Sequence, residues 1–359
     1  AALVGAALAG GAAGHGALNA PRPRNQGRGA VSDIAENPSC VGDACFWFSV
    51  GCFIGCERCS GVGKHLYPSP ACAKPMEPTN NDPLTRTWDP RNLSSSGDFT
   101  KYNPWRAPGR APVLDPCGEA SGYLVPGYDV PTGYAQNDLG SKVLPAGPAT
   151  YWQAGGVAEV AWAMGAQHGG GYSYRLCPKA RPLTEECFQA GHLGFVGNTS
   201  VRYDDGSGKV FEIETVTAAF EGKEWRTVPV PACNCDIGTM CGAKAAQVEP
   251  HHHHEAGLPP RAFTPYDSEG AGNRHCPSGT MFPARWADGA GEGGGAVPGY
   301  GVPKQRYSFV DKVRVPQKPG EYVLSWRWDC EQTAQVWNSC ADIVIAEGPP
   351  PKGKASLFV

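Results

Sequence analysis

From residue 157 onward the chain carries short runs rich in β-branched and aromatic residues, each bounded by Gly, Pro or Asn. They are Val157–Ala163 (VAEVAWA), Tyr172–Leu176, Val210–Val216 (VFEIETV), Trp225–Val230, Tyr307–Val315 (YSFVDKVRV), Tyr322–Trp328 (YVLSWRW) and Ala341–Ile345. Such residues suit a pleated, half-buried surface whose side chains alternate between two faces, so each run predicts a β-strand. Seven short strands separated by turns predict an all-β fold, an antiparallel β-sandwich of the immunoglobulin or fibronectin type with long disulfide-tied loops. Asp204–Gly208 (DDGSG) is the expected turn between two strands.

Elsewhere this pattern lapses. Between Cys40 and Val125 the chain is dense in Cys, Pro, Gly and aromatics, including Phe46-Trp47-Phe48 and Asn103-Pro104-Trp105. No period is sustained there, which predicts an elaborated, disulfide-tied loop region. Residues 242–302 are rich in Gly, Pro, Ala and His with little to bury, and are expected to form a surface insertion in a sandwich domain spanning residues 15–346. Residues 347–359, with Pro349-Pro350-Pro351, are expected to be a tail or linker. Residues 1–14 (AALVGAALAGGAAG) are all small or apolar and resemble the remnant of a secretory signal peptide, with cleavage expected between Gly14 and His15.

Composition sharpens this picture. Among 359 residues, 48 Gly and 34 Pro with only 4 Met and 18% charged residues describe many turns and little helix. Fifteen cysteines place the chain in an oxidising, extracellular setting. Two sequons, Asn92-Leu93-Ser94 and Asn198-Thr199-Ser200, fit a secreted glycoprotein. A net charge of -3 offers no electrostatic footprint for nucleic acid or an anionic membrane, and points to a neutral partner. No apolar run after the first segment reaches the roughly 18 residues that span a bilayer.

Two histidines stand out. Cleavage before His15 would give it a free α-amine, with a pKa of about 7.7 to 8.0, beside the ring Nδ1. Together the two nitrogens can chelate a metal, and an imidazole from elsewhere would complete a T-shaped, all-nitrogen plane of the kind that favours copper. His168 lies in Gln167-His168-Gly169-Gly170-Gly171-Tyr172, directly before a predicted strand, where glycines permit close backbone approach. The tract His251–His254 can gather transition metals, but lies in the Gly/Pro-rich insertion and is expected to be a solvated loop.

The opening His15-Gly16, the stretch from His168 through Tyr172-Ser173-Tyr174-Arg175-Leu176-Cys177-Pro178, and the closing run from Tyr322 to Cys330 with Cys340-Ala341-Asp342-Ile343 occur in one order. In this the chain resembles the chitin-binding type-4 class of lytic polysaccharide monooxygenases, most nearly auxiliary-activity family fifteen. The resemblance spans His15 to about Ile345. It implies a fibronectin-like sandwich holding copper between His15 and His168 on a flat face, and oxidation of β-1,4 linkages of chitin or cellulose at C1 or C4. It also implies O2 or H2O2 as co-substrate, an external electron donor, an insoluble polysaccharide as partner, and a monomer. The family carries a Tyr or Phe beside the metal where this chain has Trp337, which cannot ligate copper. Gln335, two residues away, would share that face and could hydrogen-bond metal-bound oxygen, or else be a surface glutamine; Gln332 competes for the role.

Cys52-x3-Cys56-x2-Cys59 and Cys233-x-Cys235-x5-Cys241 have zinc-like spacings, but no histidine completes a tetrahedral set, so disulfides are expected. A bridge Cys330–Cys340 or Cys177–Cys187 would stiffen the site. Fifteen is odd, so at least one cysteine is free or pairs outside the chain. Two other readings stand: a non-catalytic chitin- or cellulose-binding protein, with Trp47 or Trp105 stacking on sugars, and a copper-binding protein of the same fold.

Overall fold

The computed structural model describes residues 15–25, 46–59, 72, 74, 76–82, 85, 100–123, 126–127, 130–166, 169–203, 210–213, 215–229, 307–331 and 333–348. The expected leader, the turn Asp204–Gly208, the insertion 242–302, the tract His251–His254, Asn92 and nearly all of the tail lie outside these residues.

The described residues form two facing sheets. The first is built from β1 (His15–Ala20), β4 (Val157–Ala166), β10 (Tyr307–Arg314), β6 (Phe195–Tyr203) and β7 (Val210–Ile213), in that spatial order. The second runs β2 (Phe48–Val50), β12 (Gln335–Ala346), β11 (Gly320–Asp329), β5 (Gly171–Pro178), β9 (Lys223–Thr227) and β8 (Thr217–Phe220). A short β3 (Thr150–Gln153) joins β12 in parallel, and the other strand pairs are antiparallel. The helical elements among the described residues are short: α1 (Gly140–Val143), α2 (Glu185–Gln189) and a 3-10 turn at Pro104–Arg106. The fold is the antiparallel β-sandwich expected from the strand pattern.

Alternation explains the core. Ala158, Val160 and Trp162 of β4 face inward with Leu18, Phe195, Val201, Phe309 and Val313 of the same sheet. They meet Phe48, Tyr172, Tyr174, Leu176, Leu324, Trp326, Trp328 and Trp337 of the other. Trp162 sits at the centre, its ring 4.7 Å from Tyr172, 4.9 Å from Phe309 and 5.2 Å from Trp326, the spacing of tilted aromatic packing. One ion pair enters this layer: Arg226 donates to Asp311 at 2.8 Å, and Tyr174 and Thr199 donate to the same carboxylate.

All seven predicted runs overlap strands, with ends shifted by a few residues. Five further strands escape the pattern. Phe195–Tyr203 contains Gly197-Asn198, a turn signal; here Gly197 adopts φ +64° opposite a register shift between Val310 and Lys312, so the pair marks a bulge within a strand. Phe48–Val50 and Thr150–Gln153 are too short to show alternation.

Eight consecutive residues of β11, Tyr322 to Asp329, are buried, so both faces of this strand are covered. The outer cover is the loop from Trp105 to Cys117 together with α2, clamped by Cys117–Cys340 and Cys177–Cys187. Cys52–Cys59 and Cys56–Cys72 tie the preceding loop, so these cysteines form disulfides and no zinc set. The expected alternative Cys330–Cys340 does not form. Cys340 pairs in register with Ser325, while Cys330 lies beyond the end of β11, five residues further along, and is a buried free thiol whose pKa burial pushes up.

Candidate functional site

The N-terminal strand and the β4–β5 connection meet at one end of the sandwich. His15 opens β1 with Ala166, the last residue of β4, as its partner; a register shift follows between His15 and Gly16. The His15 side chain, Gln167 and His168 lie outside the described residues. β5 begins at Gly171, opposite Asp329 of β11 and Thr227 of β9.

The glycines next to both histidines have steric causes. A Cβ on Gly16 would lie 3.0 Å from ring carbons of Trp326 and Trp328, so a bare backbone lets β1 rest on the two indoles. Gly169 and Gly170 adopt φ +62° and +79°, the left-handed region glycine enters without penalty. A Cβ on Gly170 would also fall 2.0 Å from the Asp329 carbonyl, and one on Gly171 2.3 Å from the Trp105 ring. The connection is held from outside. Trp328 Nε1–H donates to the Gly169 carbonyl at 2.8 Å, and the Val228 N–H donates to the Gly170 carbonyl at 3.0 Å.

Trp337 is fully buried, stacked on Phe48 at 4.3 Å and 6.4 Å from Trp328. Gln335, two residues before it on β12, is also buried, and its side-chain amide oxygen Oε1 accepts from the Thr333 hydroxyl at 3.1 Å. It is therefore not a surface glutamine. Gln332 lies outside the described residues. β1 approaches the same strand: the Leu18 N–H donates to Ser339 Oγ at 3.2 Å, two residues beyond Trp337. Trp47 and Trp105, expected to stack on sugars, are 1% and 0% exposed. Trp47 meets Tyr134 edge-on at 4.9 Å, while Trp105 donates to the Thr85 carbonyl at 2.9 Å; both are core residues of the loop layer. Trp328 went unnoticed in the sequence, although the alternation in Tyr322–Trp328 places it on the face of Trp326.

A second buried cluster lies on the outer side of β11. Arg327 donates to Asp329 at 2.6 Å, to Glu185 at 2.7 Å and to the Ala111 carbonyl at 3.0 Å. Arg175 donates to Glu185 as well. Burial alone would raise the Glu185 pKa, but the two guanidiniums outweigh it and hold the carboxyl at about 2. His192, bonded to Gln189 at 3.2 Å, is pushed down to about 3 by burial and by the nearby Arg175 charge. It is a neutral imidazole at physiological pH. Among the described residues no group of three or more His, Cys, Asp or Glu is placed to hold a metal.

No family model matches the sequence. No characterised protein is significantly similar to it in sequence. Among solved structures, an auxiliary-activity family fifteen lytic polysaccharide monooxygenase from Thermobia domestica, in the Cu(I) state, is similar at 16% identity and a TM-score of 0.25, over 65% of this chain and 77% of that one. A cellulose-active lytic polysaccharide monooxygenase in complex with copper gives 13% identity and a TM-score of 0.21, over 56% of this chain and 55% of that one. A chitin-binding domain from Burkholderia pseudomallei gives 11% and 0.31, over 93% and 100%. At such values the functional reading rests on this chain's own residues.

Proposed function

We propose that the chain is a secreted, copper-dependent lytic polysaccharide monooxygenase acting on chitin or cellulose, with His15 and His168 as its metal ligands. The observation that carries this reading is the pairing of His15 with Ala166. Two peptide units separate Ala166 from His168, and a trans chain spans at most about 7 Å over that distance. The two histidines thus belong to adjoining segments, as a shared metal requires. The donor set fits as well: an α-amine and two imidazoles are all nitrogen, the set that suits copper. Bound there, copper would supply activation of O2 or H2O2 for oxidation of a C–H bond at C1 or C4.

The protein's own groups do the remaining work. The α-amine of His15 must be neutral to donate, which removal of Gly14 permits and an amide does not. Gly16 and Gly170 let the backbone lie close to rigid aromatic and strand elements, so the ligands would be borne on supported chain. Gln335 and Trp337 are buried on β12, paired in register with Val50 and Phe48 of β2; in this reading Gln335 would offer an amide to oxygen near the metal, and the Trp337 indole would supply bulk there without a donor atom. The four disulfides among the described residues fit an oxidising compartment.

The test uses protein whose first residue is His15, a form retaining Gly14, and the variants His168→Ala and His251→Ala. Each receives one equivalent of copper, chitin or cellulose and a reductant. Oxidised oligosaccharides are expected by mass spectrometry from the first protein and from His251→Ala, and none from the other two. Equal copper affinity with and without Gly14, or product from His168→Ala, would rule out the assigned ligands. Tight copper binding without product from either polysaccharide would leave a copper-binding protein.

A further inference from the structure

We infer that Trp328 is a positioning residue for the histidine pair, fixing the segment that carries His15 against the segment that carries His168; the inference rests on the reading above. One buried indole touches both. Its six-membered ring, through Cε3 and Cζ3, lies where a Cβ on Gly16 would come within 3.0 Å, one residue after His15. Its Nε1–H donates to the carbonyl of Gly169, one residue after His168, at 2.8 Å. The ring cannot shift easily, being packed 5.8 Å from Trp162, 6.3 Å from Trp326 and 6.4 Å from Trp337.

The need for such an anchor follows from the glycines. Gly169 and Gly170 have wide conformational freedom, so the connection does not by itself fix the direction in which a preceding side chain leaves the backbone. Val228 and Asp329 restrain Gly170, but the Trp328 bond acts on the residue next to His168. The same side chain bears on β1, so a movement of either segment is felt by the other. Metal ligands are commonly oriented by hydrogen-bonded neighbours in this manner, and losing such a neighbour costs about 10- to 100-fold in affinity.

Trp326 provides the matched comparison. It too is fully buried and contacts the Gly16 position, through Cη2, but its Nε1 has no hydrogen-bond partner among the described residues. Trp328→Phe and Trp326→Phe therefore remove similar volume from one stack, and only the first removes a donor to Gly169. With His15 as first residue, Trp328→Phe is expected to bind Cu(II) at least about tenfold more weakly and to show an altered copper EPR spectrum. Trp326→Phe should retain the wild-type spectrum even though it too loses thermal stability through the cavity it opens. Equal effects of the two substitutions on affinity and spectrum, or no effect of Trp328→Phe, would overturn the inference. If His168→Ala binds copper as tightly as wild type, the histidine-pair reading fails and takes the inference with it. If His168→Ala loses copper while Trp328→Phe does not differ from wild type, the inference alone fails. Should Trp328→Phe not fold, the wild-type protein still decides. On titration with diamagnetic Cu(I), the indole N–H resonance of Trp328 is expected to move while that of Trp326 stays, and a motionless Trp328 resonance would refute the positioning role.

Discussion

The two faces of β11 are stabilised by opposite means. Toward the other sheet it presents Leu324, Trp326 and Trp328, which pack on apolar neighbours. Away from that sheet it presents Ser325, Arg327 and Asp329, equally buried. The covers explain the difference. A strand facing the inner side has satisfied its own backbone groups in a ladder and offers only side chains, so apolar packing suffices. The loop over the outer side has carbonyls and amides left over, and burying them unpaired is costly. Ser325 therefore donates to the Pro116 carbonyl at 2.7 Å, Arg327 to that of Ala111, and Asp329 accepts the Gly109 N–H at 2.7 Å. Charge on the outer face completes an irregular layer that could not complete itself.

This contrast predicts that the outer face is the more fragile to single substitution. Arg327→Met should show the largest effect, about 3 to 5 kcal/mol by urea denaturation, because it leaves the Asp329 and Glu185 carboxylates buried with one guanidinium fewer. A loss below about 1 kcal/mol would mean that the cluster is solvated and the contrast empty.

The same cluster sets the response to acid. The folded pKa of Glu185 is about 2, below the ordinary 4.5, and that of His192 about 3, below 6.5. In both cases the unfolded chain takes up its proton first as pH falls. The stability they contribute is thus whole above about pH 6.5 and drains away through about pH 2. The urea midpoint should be clearly lower at pH 4 than at pH 7, and His192→Gln should shrink the difference; a midpoint independent of pH would contradict this assignment.

Removing the clamp on the outer layer comes next. Replacing Cys117 and Cys340 together by Ala opens a bridge across 223 residues and should cost about 2 to 5 kcal/mol. Thermal unfolding of the double variant measures it, and an unchanged midpoint would show the loop layer to be held by its hydrogen bonds alone. The smallest effect is expected on the inner face. Trp337→Phe conserves an aromatic ring stacked on Phe48 and should cost on the order of 1 to 2 kcal/mol, through the cavity it opens. If it matches Arg327→Met, the two faces are not differently built.

How much of this was legible in the sequence follows the same division. Strands with one apolar face announce themselves by alternation, as in Val157–Ala163 and Tyr322–Trp328, and the sandwich follows from them. The outer layer does not. Its buried residues Arg175, Arg327 and Asp329, with the half-buried Glu185, are of types ordinarily exposed, and only the fold reveals the loop above them. For the same reason Trp47 and Trp105, aromatics in a loop-like stretch, suggested a sugar-binding surface when they are the packing of that layer. The sequence leaves cysteine connectivity open, with Cys330–Cys340 one conceivable local bridge, whereas register in β11 and β12 separates the two and delivers Cys340 to Cys117. At the candidate site, His15 and His168 were picked out as residues. The register that pairs His15 with Ala166 at the end of β4 is a property of the fold that no spacing in the sequence encodes.

The Cys117–Cys340 bridge also changes what a protease can do to this molecule. Between its ends the chain is a covalent ring, and a single cut anywhere in it, including the stretch between β9 and β10, opens the ring without releasing a fragment. Nicked protein is expected to migrate as one species on a non-reducing gel and to separate into two only with thiol. A single nick within the ring would then leave every strand of the sandwich attached to the rest.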